Sequence, residues 1–328
     1  MTSSNTNKSS SNVPVEPAGE AKGGYDEFAY FAENAVEHGL AYDGPPIVRR
    51  EAISTDDGRT ISSLVWGESE PELVLIHGGA QNAHTWDTVC LALGRPLVAI
   101  DMPGHGHSGP PADGAANVER NADDIATAIE QLAPQARAVV GMSLGGLTTL
   151  AMSVANPSLF ETMVLVDITP GVNKENADHI RRFVDGPSTF ASFEELLERT
   201  MAFNPTRTES SLRRGILHNA KQLEDRSWVW RHARHRVFAD TATDDTADGE
   251  RDYLRLWDAL ETHDGPVALA RGMRDQSVVT DDDVAEFLRR RPDARIENFP
   301  DAGHSIQGDM PVELAAFISE FVAQSSAG

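Results

Sequence analysis

The chain has 328 residues, 40% hydrophobic and 24% charged, enough for one large globular domain with an insertion or for two small domains. Its net charge of −23 repels phosphate backbones and argues against nucleic acid as a partner, and no apolar run reaches the roughly 18 residues of a membrane span. The single cysteine, Cys90, rules out an intramolecular disulfide, and in Val89-Cys90-Leu91 it reads as a buried structural thiol.

Residues 1–24 are rich in Ser, Asn, Pro and Gly and lack the basic start and apolar stretch of a secretory signal. They read as a disordered tail on a cytoplasmic chain. Tyr25, Phe28, Phe31, Ala32, Ala35 and Val36 then recur at helical spacing, predicting an amphipathic helix over 25–38 that Gly39 stops. Strands over 47–54 and 60–66 flank the turn signal Asp57-Gly58. Short apolar strands follow at 73–76, 97–100, 138–141 and 163–166, separated by helices over 83–93, 117–132 and 144–155. Strands without alternation, spaced by helices, indicate a parallel sheet covered on both faces.

The alternation breaks between 172 and 262, where helical segments occur with no convincing strand. It resumes with a strand at 266–270, a helix over 281–290, a strand over 295–299 and a closing helix over 311–323. The reading is one α/β domain, 25–171 and 263–328, interrupted by a helical cap over 172–262.

Gly141-Met142-Ser143-Leu144-Gly145 fits Gly-x-Ser-x-Gly where a strand gives way to a helix. A sharp turn there holds Ser143 in strained dihedrals and lifts its hydroxyl above the sheet. Residues two positions away must be small to avoid a clash across the turn. The starting helix aims backbone N–H groups, including that of Leu144, at a developing oxyanion. A tight packing turn without chemistry is the bland alternative, but the strand before and the helix after favour a nucleophile. A dinucleotide-binding turn is disfavoured, because Ser143 stands where the second glycine would.

With this turn the chain resembles the α/β-hydrolase superfamily, over residues 47–323. Four motifs occur in that family's order: His77-Gly78-Gly79, Asp101-Met102-Pro103-Gly104-His105-Gly106-His107-Ser108, the Ser143 turn, and the late Asp275 and His304. The resemblance implies an eight-stranded, mostly parallel sheet with the second strand antiparallel, and a cap inserted after the sixth. It makes His304 the general base. It puts the orienting acid at Asp275, in preference to Asp167 at the end of the strand 163–166; Asp301 is too near His304 in sequence. Asp167 otherwise reads as a turn cap before Thr169-Pro170. The second oxyanion donor is expected from the Gly79 N–H, with Ala80 as fallback, and His77 is structural.

His105 and His107, a lone pair on a loop, read as loop residues rather than metal ligands, and no metal or cofactor is expected. Trp86, Met142, Trp228 and Trp230 are candidate pocket residues, although a core role is the commoner one for Trp86. Between Pro205 and Arg236 eight Arg or Lys face three Asp or Glu. Solvated helix faces are the bland account; a cationic cap drawing in a carboxylate-bearing substrate is the functional one, with Arg231 and Arg234 as its first candidates.

Together these residues predict acyl transfer through Ser143 on a small carboxylic ester, without cofactor. Cleavage of a carbon–carbon bond in a dienoic ring-cleavage product is the next reading, then a cofactor-free haloperoxidase. A ligand-sensing receptor on the same scaffold is the non-enzymatic one. Asp at the place of Ser143 would have indicated epoxide hydrolase or dehalogenase chemistry.

Overall fold

The structure is a computed structural model that describes residues 25–111, 117–172, 174–232 and 248–325. The expected tail, residues 1–24, lies outside the described residues. In chain order the elements are α1 Phe31–Glu37, β1 Val48–Ser54, β2 Thr60–Trp66, β3 Leu73–Ile76, a 3-10 turn Ala83–Trp86, α2 Asp87–Leu93, β4 Leu97–Ile100, α3 Val118–Leu132, β5 Ala138–Met142, α4 Leu144–Ala155 and β6 Thr162–Val166. Then come α5 Lys174–Val184, β7 Thr189–Phe190, α6 Phe193–Phe203, α7 Glu209–Asn219, β8 Ala220–Gln222, β9 Trp228–Trp230 and α8 Asp248–Thr262. β10 Val267–Gly272, α9 Asp281–Arg290, β11 Arg295–Phe299, α10 Ile306–Asp309 and α11 Pro311–Ser325 close the chain.

Eight strands form one sheet in the order β1-β2-β4-β3-β5-β6-β10-β11. β2 runs antiparallel to both its neighbours, and the pairs from β4 to β11 are parallel. The inner strands β3 to β6 are buried along their whole length. Alternation assigns their side chains to two layers. Val74 and Ile76 join Ile125, Leu150, Leu260 and Phe287 on one side. Leu73 and Leu75 join Phe31, Cys90, Phe317 and Phe321 on the other. At about 25 cal/mol per Å² of apolar surface removed from water, these two layers are the main source of stability. Caps set the helix starts: Asn117 accepts from the Glu119 and Arg120 N–H groups, and Thr280 forms a capping box with Asp283.

Three expectations need correction. The first helix is shorter, because the Asp26 side chain takes the Phe28 N–H and makes a turn, so α1 begins only at Phe31. The insertion is not wholly helical. β7, β9 and β8 form a small antiparallel sheet over a core of Phe190, Leu196, Leu197, Leu212 and Ile216. Strands of two or three residues are too short for alternation to show in a sequence. Finally, α8 was counted with the cap, but its Leu256, Trp257 and Leu260 belong to the first core layer, against α4. Among the described residues no helix is long and apolar enough to cross a membrane.

Candidate active site

β5 delivers Ser143 to the C-terminal edge of the sheet. The residue adopts φ 51° and ψ −119°, a left-handed conformation that a side chain rarely takes. The glycine two positions on allows it: a Cβ on Gly145 would stand 2.4 Å from the Ile76 carbonyl oxygen. The β3 end and the start of α4 are therefore in backbone contact. Neither the Leu144 N–H nor the Gly79 N–H has a partner among the described residues. The fallback donor is taken, because Ala80 N–H donates to His105 Nε2 at 3.1 Å. Burial holds His105 well down, at about 3, so it stays a neutral acceptor.

The loop carrying these donors is pinned from below. His77 Nε2 accepts from the Met102 N–H at 2.9 Å. Asp101 accepts from the Ala83 and His107 N–H groups and pairs with Arg50 at 2.8 Å. The two His-containing motifs are therefore scaffold for the loop after β3 that carries the Gly79 N–H. From the insertion, Asn219 Nδ2 donates to the Ala80 carbonyl at 2.5 Å. Sequence reasoning passed over that contact, and nothing in the local sequence around Asn219 signals it.

His304 lies beyond β11 and lines the same cavity as Ser143. Its Nδ1 is 2.9 Å from Asp167 Oδ2. This corrects the expected acid. Asp275 is exposed on the loop after β10, and its neighbours fold inward without it. Asp167 is fully buried at the end of β6 and accepts four hydrogen bonds: from Gly272 N–H at 2.9 Å, Ser277 Oγ at 2.7 Å, Val278 N–H at 3.0 Å and His304. Its φ of 47° is the price of turning the carboxylate under the histidine. A buried carboxylate is tolerable when all its lone pairs are used. One signal was available: Asp167 sits between apolar residues, Val166 and Ile168, whereas Arg274 and Gln276 flank Asp275.

The Ser143 cavity has a volume of about 150 Å³. Met142 lines it as expected, and the insertion adds Ile180, Phe183, Val184 and Phe203. Trp86 does not reach it; the indole is fully buried in the second core layer. Trp228 stacks edge-on against Phe193 and lines neither this cavity nor its neighbour. Trp230 lines a second cavity, of about 160 Å³, which shares Ala80, Gln81, Phe183, Asn204 and Ser305 with the first. Arg231 is occupied: its Nε donates to the Ala220 carbonyl, and its guanidinium lies 5.6 Å from the centre of the Tyr25 ring. Arg234 lies outside the described residues. Two arginines line the second cavity: Arg214, which pairs with Glu37, and Arg207, which donates to Ser211 Oγ and has no carboxylate within ion-pair distance among the described residues. Around Ser143 no His, Cys, Asp and Glu cluster has metal-ligand spacing among the described residues; one such cluster, His84, Asp87 and His218, lines the second cavity, but its two imidazoles stack face to face, 3.9 Å between centroids, and do not converge on one ion.

Residues 73–317 match the alpha/beta hydrolase family. The esterase Rv0045c of Mycobacterium tuberculosis is 39% identical over 302 residues, 90% of this chain and 95% of that protein. A solved structure of that M. tuberculosis esterase, described together with its transition-metal inhibition, superimposes with a TM-score of 0.78, covering 92% of this chain and 99% of the other at 39% identity. An sn-1-specific diacylglycerol lipase of Xenopus laevis is 26% identical over 265 residues, 77% of this chain and 80% of that protein.

Proposed function

This chain belongs to the alpha/beta hydrolase family, and from that premise we propose that it is a serine esterase acting through an acyl-enzyme on Ser143. The observation that carries the reading is the Asp167–His304 hydrogen bond beside the strained Ser143 turn. With Nδ1–H committed to Asp167, His304 presents Nε2 as its basic nitrogen toward the cavity. Nε2 takes the Ser143 proton as Oγ attacks the ester carbonyl. The Gly79 and Leu144 N–H groups hold the oxyanion. The His304 imidazolium, stabilised by Asp167, then protonates the departing alcohol. A water, deprotonated by His304, attacks the acyl-enzyme; the Oγ–acyl bond breaks, His304 returns the proton to Ser143 Oγ, and the carboxylic acid leaves. The similarity to the M. tuberculosis esterase supports ester substrates.

The Ser143 cavity of about 150 Å³ adjoins the second of about 160 Å³, and a small carboxylic ester is the substrate class we favour for it. Arg207, half-buried beside the adjoining cavity with no carboxylate within ion-pair distance among the described residues, favours an ester that carries a free carboxylate on its far end. The test of the whole reading is covalent. A fluorophosphonate should label Ser143 stoichiometrically, and Ser143→Ala should lower kcat on a chromogenic butyrate ester by roughly 10³-fold or more with the fold unchanged. Stoichiometric labelling at another residue would overturn it.

A further inference from the structure

Gly79, whose N–H has no partner among the described residues, lines the Ser143 cavity and is the second residue of a four-residue turn. The Gln81 N–H closes that turn on the Gly78 carbonyl at 3.3 Å. Its third residue, Ala80, takes φ 61°. A left-handed φ at the third place of such a turn suits glycine, and a residue with a Cβ stays there only when its surroundings hold it. The direction of the Gly79 N–H therefore depends on what holds Ala80.

Two side chains do so. The Ala80 N–H donates to His105 Nε2 at 3.1 Å, a contact within the core. The Ala80 carbonyl accepts from Asn219 Nδ2 at 2.5 Å, and Asn219 is the last residue of α7, in the insertion. The orientation of the Asn219 amide follows from groups that have one option each. The His84 backbone N–H can only donate, so Asn82 Oδ1 accepts it, at 2.9 Å. Asn82 then turns its Nδ2 to Asn219 Oδ1 at 3.1 Å, which leaves Asn219 Nδ2 as the donor to the Ala80 carbonyl. The backbone of Asn219 is fixed as well, because its carbonyl accepts the Arg231 N–H at 2.8 Å, next to β9.

We propose that Asn219 is a positioning residue for ester cleavage: it holds Ala80 in its left-handed conformation and so aims the Gly79 N–H at the oxyanion. The inference rests on the esterase reading and adds to it a part for the insertion in the chemical step. Asn219 touches no reacting atom and acts through the turn. Negative charge gathers on the ester oxygen in the transition state, so a well-aimed donor helps there far more than it helps the bound ester. The contribution of Asn219 therefore falls on kcat and not on KM.

The test uses the full chain and a chromogenic butyrate ester. Asn219→Ala should lower kcat by about 10- to 100-fold with KM within about twofold of wild type. A trifluoromethyl ketone, which places an oxyanion on the carbon that Ser143 attacks, should lose affinity in the same ratio. Adding Ala80→Gly to Asn219→Ala should recover at least about threefold in kcat, because glycine takes the left-handed φ without help. Mere loosening of the insertion would not be rescued by a change in a core turn. Asn219→Asp keeps the size of the side chain but turns an oxygen toward the Ala80 carbonyl; it reads the same contact if Asn219→Ala does not fold, and should lose at least as much. Fluorophosphonate labelling of wild-type Ser143 separates the two readings. With Ser143 labelled and the wild type active, a variant kcat within about twofold of wild type, an unchanged ketone affinity, or no recovery by Ala80→Gly would each overturn this proposal and leave the esterase reading standing. An unlabelled Ser143 would overturn both.

Discussion

Asp167 Oδ2 receives the Nδ1–H of His304 across 137 residues of sequence, at 2.9 Å, and the same carboxylate takes hydrogen bonds from Gly272, Ser277 and Val278. The loop after β10 is therefore shaped around Asp167. Asp167→Asn should cost about 10⁴-fold in kcat, since an amide no longer fixes the tautomer that leaves Nε2 basic. Asp275→Asn, on the exposed face of that loop, should stay within about twofold of wild type, as surface changes do. Steady-state kinetics on one chromogenic ester ranks the pair; the reverse ranking would remove Asp167 from the mechanism.

The glycines of the chain predict opposite outcomes at two positions. A Cβ on Gly145 would lie 2.4 Å from the Ile76 carbonyl oxygen and 2.6 Å from that of His77, both backbone atoms that cannot swing away. Gly145→Ala should destabilise by about 1–3 kcal/mol or more. A Cβ on Gly215, inside α7, meets nothing within 4 Å. Gly215→Ala should stabilise by about 0.5–1 kcal/mol, because the helix no longer restrains a glycine. Urea unfolding of both variants decides; a stable Gly145→Ala enzyme would contradict the close β3–α4 approach.

Histidine ionisation should shape stability from both sides of neutrality. Burial alone would lower the His84 pKa, but the charge of Asp87 and the hydrogen bonds to Asp87 and Glu27 outweigh it and raise the value to about 9. A folded pKa raised above the unfolded one adds stability that is fully present below about pH 6.5 and lost as pH rises through about 9. His107, lowered by burial and by Arg50 to about 4, acts oppositely: it stays neutral in the folded chain, and its cost is felt as pH falls below about 6.5. His84→Gln should thus melt well below wild type at pH 6, with the gap closing by pH 10. Equal gaps at both pH values would show that His84 is neutral in the folded protein.

Arg207 gives the carboxylate-bearing substrate a defined test. With the Arg207 guanidinium against Gly308, and Asp309 and Glu37 acting on it from beyond ion-pair distance, Arg207→Gln should raise KM for a hemisuccinate ester by about tenfold or more, at unchanged kcat. KM for a neutral butyrate ester should hold. A uniform rise for both esters would assign Arg207 to packing of the insertion.

From the sequence alone, the sheet and the Ser143 turn could be read, because their signals are local, whereas His304 followed from the family resemblance. Fully buried strands such as Leu73–Ile76 must be apolar throughout, and a turn that brings α4 against β3 admits only glycine at 145. Periodicity and small-residue spacing record those demands within a few positions. The partner of His304 was not local in this sense. Asp167 and Asp275 both follow strands, β6 and β10, that lie side by side in parallel, so either carboxylate arrives at the same edge of the sheet. Only the path of the loop after β10, which turns the Val278 N–H and the Ser277 hydroxyl onto Asp167 and leaves Asp275 in water, decided between them. The same holds for Asn219 on Ala80 and for the gathering of His84, Asp87 and His218. Those contacts join the insertion to the core over more than a hundred residues, a distance at which side-chain spacing along the chain carries no information and three-dimensional packing supplies all of it.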